Sequence, residues 1–349
     1  MKGYKGFNPG LICKDKQYQE NTVFEEPEAK ICEKGMHFCE NPFDVLDYYD
    51  LIRSDGTQNE FAEVEALDEP KTDDKKKFCS RKLKIGVKLG LSGFIKACVD
   101  FVLEKTIAEM PSENVDSGYS ARIGSSGDCA RIGSSGYSAR IGSSGYSARI
   151  GSSGYSAQIG SSGYSAWIGS SGDCARIGSS GYSARIGSSG DCARIGSSGD
   201  CARIGSSGYS ARIGSSGDSA WIGSSGDCAR IGSSGYSAQI GSSGYSAQIG
   251  SSGDCARIGS SGDCAQIGSS GDCAQINCTG SDSVICCAGN GSVVKAPIGC
   301  WITLAEWKYD GAKRRYVPAC VKTEFVDGEK IKADTPYMLE SGEFVEVKP

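Results

Sequence analysis

From residue 122 to residue 275 of this 349-residue chain, every ninth position holds arginine, glutamine or tryptophan. The arginines are Arg122, Arg131, Arg140, Arg149, Arg176, Arg185, Arg194, Arg203, Arg212, Arg230 and Arg257, and Trp167 and Trp221 stand in the same register. Tyrosine or aspartate sits three residues before each of them. Arginine and aromatic residues are enriched where binding energy is concentrated, so the vocabulary is that of an interface. It is chemistry for recognition, repeated along a line, and no single copy is marked as a reactive group.

Other reactive types are sparse or scattered. There is one histidine, His37, and eighteen cysteines. Eight of those cysteines alternate with serine inside the repeat, and the remaining ten show no CxxC pair with zinc spacing. Calcium is disfavoured as well. A calcium-binding nonapeptide places Asp two residues after Gly, whereas here Asp follows Gly directly and half of the copies carry Tyr. The expectation is a chain without metal. Because the N-terminal Met1 to Phe7 lacks an apolar signal-peptide stretch, the cysteines are read as reduced thiols in a cytoplasmic protein. No apolar run is long enough to cross a membrane.

The elements that position the arginines follow from the repeat. Residues 118–279 are eighteen units of Gly-Ser-Ser-Gly, Tyr or Asp, Ser or Cys, Ala, then Arg, Gln or Trp, then Ile. A fixed period of this kind calls for stacked coils. Gly-Ser-Ser-Gly is turn chemistry, and the residues between turns alternate as a strand does. A Gly pair in every unit excludes helix. Since eleven arginines cannot line an interior, Ala and Ile point inward and Arg, Gln, Trp with Ser or Cys point outward. After the regular array, Val284, Val293 and Ile302 are read as larger apolar residues at the Ala position. Two units per coil predict a flat, two-sided β-solenoid of nine coils, about 43 Å long at ~4.8 Å per rung. Three units per coil would give a triangular rod of six.

The fold class is therefore mainly β, with a solenoid over 111–279 between two flanks. Residues 1–110 form a small α/β head. Its expected strands are Thr22–Phe24, Met36–Cys39, Glu60–Leu67 and Phe78–Val87. A helix over Phe43–Leu51 starts at Asn41-Pro42, and a second runs over Ser92–Lys105. Residues 280–349 form degenerate coils and a β-rich cap, with strands at Trp301–Trp307, Tyr316–Phe325 and Phe344–Val347. Both flanks can cover open solenoid ends, which otherwise expose unpaired backbone. The chain carries a formal net charge of −5. Only the repeat region is positive, with 11 Arg against 9 Asp. That is less than the basic excess of a protein built to grip many phosphates.

Two resemblances add to this reading. Tyr4-Lys5-Gly6-Phe7, the run from Cys32 to Pro42 with Asp44-Val45 and Tyr48-Tyr49, and the segment from Trp301 to Trp307 resemble a family of uncharacterised bacteriophage and prophage proteins. Members carry a similar head and tail around variable Gly/Ser-rich repeats. The resemblance implies a phage origin and brings no activity with it. Gly35-Met36-His37-Phe38, followed by a helix ending in Tyr48-Tyr49, is also similar to the ADP-ribosyltransferase segment in which such a strand precedes the nicotinamide-packing helix. That similarity implies NAD as cofactor, Lys5 and Tyr48 in the site, and Glu63 or Glu65 as the catalytic carboxylate. Lys5 departs from the family, which has Arg or His at that place.

The expected function is a non-enzymatic, phage-encoded binding or scaffold protein in the cytoplasm of a bacterial host. Its arginine, tyrosine and aspartate surface would meet a host macromolecule, as an inhibitor of host defence. A host protein is the first expectation for the partner and nucleic acid the second; oligomers could form through solenoid edges or the head. The alternative is an NAD-dependent transferase in the head, with the solenoid as targeting rod.

Overall fold

The computed structural model describes residues 1–53, 57–108, 115–116 and 118–347. Strand accounts for 45% of the chain and helix for 6%. Two compact units divide it, Met1–Phe101 and Val102–Pro349.

In the second unit about ten coils run from residue 122 to 304. Strands pair in parallel with the strand eighteen residues on, Arg194 beside Arg212 and Ile195 beside Ile213, so two nonapeptides make one coil. Odd and even units form separate sheets, of twelve and thirteen strands, facing each other across the core. The regular strand is Arg-Ile-Gly-Ser, as in Arg194–Ser197. Ala and Ile are buried from the second coil on, with Ala193 at 0% and Ile204 at 0% exposure, while Ile123 and Ala130 at the start are partly buried. The alternation runs one step further than the sequence suggested, because the first Gly-Ser of the assumed turn belongs to the strand. Its serine faces inward, and Ser188 and Ser206 are fully buried. Several of these hydroxyls, including those of Ser179, Ser197 and Ser215, accept the N–H of the glycine two residues on, at 3.3–3.4 Å. Trp167 and Trp221 lie on one sheet, three coils apart.

The two glycines of each unit serve different purposes. At the corner, coils approach so closely that a Cβ on Gly208 would lie 2.0 Å from the Gly190 carbonyl oxygen. In the strand, a Cβ on Gly214 would meet nothing within 4 Å. Aspartate helps to stack corners: the Asp191 carboxylate accepts the Tyr209 N–H of the next coil at 2.7 Å, and Asp227 accepts that of Tyr245 at 2.8 Å. In those corners the following Cys192 and Cys228 take positive φ, 56° and 55°.

The irregular copies after 279 keep the strands and shift the residues. Val284 pairs with Gln266 and Val293 with Gln275, so both occupy the outward position and not the Ala position. Val284 is accordingly 52% exposed. Ile302 pairs with Ile285, in the isoleucine column. The Ala position is taken by Ser283, Ser292 and Cys300, all buried small residues. Each sheet then ends in an antiparallel hairpin: Trp301–Asp310 with Arg315–Phe325, and Tyr337–Glu340 with Glu343–Glu346. Val326, Ile331, Tyr337 and Leu339 join the solenoid core and close this end. At the other end Val102 and Thr106 are fully buried. They belong to a segment seated on the thirteen-stranded sheet, where a Cβ on Gly169 would strike Thr106 Oγ1.

The first unit is a seven-stranded antiparallel sheet. Its elements are β1 (Lys2–Phe7), the ribbon β2 (Ile12–Cys13) and β3 (Lys16–Gln17), β4 (Val23–Glu25), β5 (Met36–Cys39), α1 (Pro42–Val45), β6 (Glu60–Ala66), β7 (Lys71–Thr72), β8 (Lys77–Ser80), β9 (Lys82–Leu89) and α2 (Leu91–Leu103) as far as Phe101. The order β4-β9-β6-β1-β5-β8-β7 puts β1, a strand the sequence reading did not mark, at the centre. The run from Phe78 to Val87 is two strands. Asp68 accepts the N–H groups of Arg81 and Lys82 at 3.0 and 3.4 Å, which breaks the run there. The helix expected to Leu51 is one turn, capped by Asn41 Oδ1 on the Phe43 N–H at 3.0 Å. Beyond it, i→i−3 bonds from Asp47 and Tyr48 tighten the chain.

Candidate functional site

The repeat arginines fall on two different surfaces. Arg122, Arg140, Arg176, Arg194, Arg212 and Arg230 occupy the twelve-stranded sheet, in one column with Gln158, Gln248 and Gln266. The neighbouring column is glycine, and a Cβ on any of Gly124 to Gly268 in it would meet nothing within 4 Å. Arginine on one side and bare backbone on the floor make an open groove of about 1690 Å³. At one coil per rung the nine strands span roughly 40 Å. Each guanidinium offers a fixed fork of donors that suits carboxylate or phosphate. No acidic side chain lies in either column.

The other arginines sit on the thirteen-stranded sheet with both tryptophans: Arg131, Arg149, Arg185, Arg203 and Arg257. Here Trp167 is held between guanidinium groups of the coils on either side, 5.6 Å from Arg149 and 4.9 Å from Arg185. Trp221 is 4% exposed. An arginine that stacks on an indole is oriented by it, and part of its contact area is already used. At the corners, tyrosines one coil apart stack in runs, Tyr119–Tyr137–Tyr155 and Tyr146–Tyr164–Tyr182, with centroids 5.1–5.2 Å apart. Adjacent copies therefore build aromatic columns that a single repeat does not reveal.

The head contains a site of a different kind. Lys5, on the central strand β1, is 4% exposed yet lines a cavity of about 700 Å³. Its ammonium donates to the His37 carbonyl at 2.9 Å and approaches Cys13 Sγ at 3.5 Å. The Phe7 and Tyr18 rings lie beneath it at 5.4 and 5.5 Å. Tyr49 donates its hydroxyl to the same Cys13 sulfur at 3.0 Å. Glycine makes this possible: a Cβ on Gly6 would overlap the Tyr49 ring at 2.6 Å. Burial pushes the Lys5 ammonium below its ordinary range, against the opposing pull of Cys13. Burial, then Lys5 and Lys77, push His37 down to about 4. A neutral His37 suits its bond, because Nε2 accepts the Cys32 N–H at 3.0 Å. The Cys39 thiol is raised to about 12 by burial first and by Asp44 next.

The residues that the transferase similarity singles out are not all brought together. Lys5 and Tyr48 line the cavity, and the Tyr48 ring carries the Lys77 ammonium at 4.6 Å. Glu63 and Glu65 do not line it. On β6 they alternate with Ala62 and Val64, and it is Ala62 that pairs with Lys5. Glu63 pairs with Tyr4, and Glu65 with Lys2. Cys13 was missed by sequence reasoning, and Tyr49, which entered only as the end of the expected helix, was given no site role, because nothing in their local spacing marks them.

Residues 1–97 match the model of a domain of unknown function, DUF7666. The match covers the head, cavity included, and carries no assigned activity. No curated protein and no solved structure matches the chain. Among the described residues, no helix is long and apolar enough to cross a membrane.

Proposed function

We propose that this chain is a non-enzymatic binding protein that lays the twelve-stranded face of its solenoid along an elongated acidic partner. The observation that carries this is the unbroken column of arginine and glutamine beside a glycine floor. A partner can approach the backbone there without meeting a side chain, and six guanidinium groups face it in register. A contact repeated along a line gains avidity only when the partner is itself long or repetitive. The resemblance of head and tail to phage and prophage proteins supports a bacterial host protein as that partner, including a component of host defence, and a cytoplasmic setting.

Nucleic acid is the second reading, favoured by charges that recur in one straight column at multiples of a single coil. The test uses the full chain and a variant with the six groove arginines changed to serine. Capture from host lysate should recover a defined acidic partner with the native chain and lose it with the variant. Equal recovery by both would show that the column is scaffold. Salt separates the two readings: nucleic acid held by six arginines gives a log–log slope of about −5, with capture abolished by nuclease.

A further inference from the structure

We propose that the head cavity is a binding site for a small organic anion with an aromatic body, whose carboxylate or phosphate meets Lys5 Nζ. This is independent of the solenoid's function.

The argument begins with charge. A buried ammonium is costly unless an anion or a full set of acceptors compensates it. Lys5 has a carbonyl oxygen and a sulfur as hydrogen-bond partners, and no carboxylate. Of the acids around the cavity, Glu26 pairs with Lys16, Glu28 with Lys34 and Glu33 with Lys30, and the fourth, Asp15, makes no hydrogen bond to Lys5. Lys5 therefore lies at the cavity wall, 4% exposed, with no carboxylate hydrogen-bonded to it among the described residues. A methionine would fill the same volume at lower cost. A site that keeps a lysine in these conditions trades stability for a ligand contact.

Size and lining define the rest of the ligand. A cavity of about 700 Å³ is within the range of small-molecule sites and too small for a macromolecular segment of any length. Tyr18, Phe38, Tyr48 and Tyr49 supply an aromatic wall, which suits a flat ring. The ligand's anion would restore the charged form of Lys5, which burial disfavours. Binding should therefore raise the Lys5 pKa, taking up a proton at alkaline pH where Lys5 is partly deprotonated, and affinity should fall as pH rises through that range.

Isothermal titration of the full chain tests this, with adenosine monophosphate and benzoate as the two anion sources and inorganic phosphate as the ringless control. At least one ringed probe should bind, and more tightly than inorganic phosphate. Lys5→Met should weaken it at least tenfold while keeping the native circular dichroism and an undiminished Tm, and Lys14→Met at the cavity rim should change it less than threefold. At alkaline pH the apparent enthalpy should vary with the ionisation enthalpy of the buffer, and that variation should vanish in Lys5→Met. If neither ringed probe binds, if Lys5→Met binds as the native chain does, or if the enthalpy ignores the buffer, the proposal fails. Phosphate binding as tightly as the ringed probes would remove the aromatic part of it.

Discussion

The groove arginines and the head lysine are cations in opposite circumstances. Arg194 and its neighbours stand exposed, one per coil, each interchangeable with the next. Lys5 is a single residue enclosed by rings, a sulfur and a carbonyl. An exposed charge keeps its hydration and contributes little to folding, so evolution can vary it; Gln158, Gln248 and Gln266 already replace it in three coils. A buried charge perturbs stability whether or not a ligand is present. Function in the groove is consequently a sum over copies, whereas function in the head hangs on one atom. The comparison also separates two kinds of glycine, those that let coils touch and those that leave the groove floor bare.

The largest effect should come from breaking the coil contact. Gly208→Val puts side-chain atoms against the Gly190 carbonyl, and should cost more than about 3 kcal/mol in chemical denaturation. Gly214→Ala, six residues on, lands in open space and should be neutral or stabilising by up to ~1 kcal/mol. Equal penalties at the two sites would contradict the assignment of corner and strand.

Next in size is the buried lysine. Lys5→Met should stabilise the head by about 1–2 kcal/mol at neutral pH, read from its unfolding transition. The sign follows from the lowered folded-state pKa of Lys5. Between that value and 10.5 the unfolded chain binds more protons, so native stability rises with pH. The advantage of methionine should thus shrink as pH approaches 10.5. Arg194→Ser, its exposed counterpart, should stay within ~0.5 kcal/mol of the native chain at every pH. An Arg194 effect as large as that of Lys5 would erase the distinction drawn above.

A smaller effect is expected on the acid side. His37 titrates near 4 in the folded head against 6.5 unfolded. The unfolded state therefore binds more protons across that window, and the head should lose stability as pH falls through it. His37→Gln should flatten the pH dependence of the unfolding midpoint between pH 6.5 and 4. A profile unchanged by the substitution would mean that the imidazole is not held neutral.

Smallest is the corner carboxylate. Asp191→Ala removes one acceptor for the Tyr209 N–H and should cost about 0.5–1.5 kcal/mol in the same denaturation measurement.

Much of the solenoid could be read directly, because its period repeats every local preference eighteen times. Ala and Ile inward and Arg outward follow from parity, and the 54 residues between the tryptophans put them on one face under either coil closure; spacing left two or three units per coil open, and the 18-residue strand pairing is what fixes two. The irregular coils were read one residue out of register at Val284 and Val293, since valine is apolar and the exposed position tolerates it. Parity along a chain says which residues share a face only while the template is regular. In the head, short elements of mixed composition gave strands and a helix start but no pairing. β1 carries two glycines and two lysines, so its central place was invisible.

The amino-acid order alone determined the repeat, its inward and outward residues and the cationic character of the outer columns, since these depend on neighbours at fixed short separations. Only the tertiary structure decided which arginines share the open groove, because that depends on how many units close a coil. It alone brought Lys5, Cys13, His37 and Tyr49 to one cavity. Those side chains come from separate elements, and their meeting is set by strand order and by the space that Gly6 leaves for a ring.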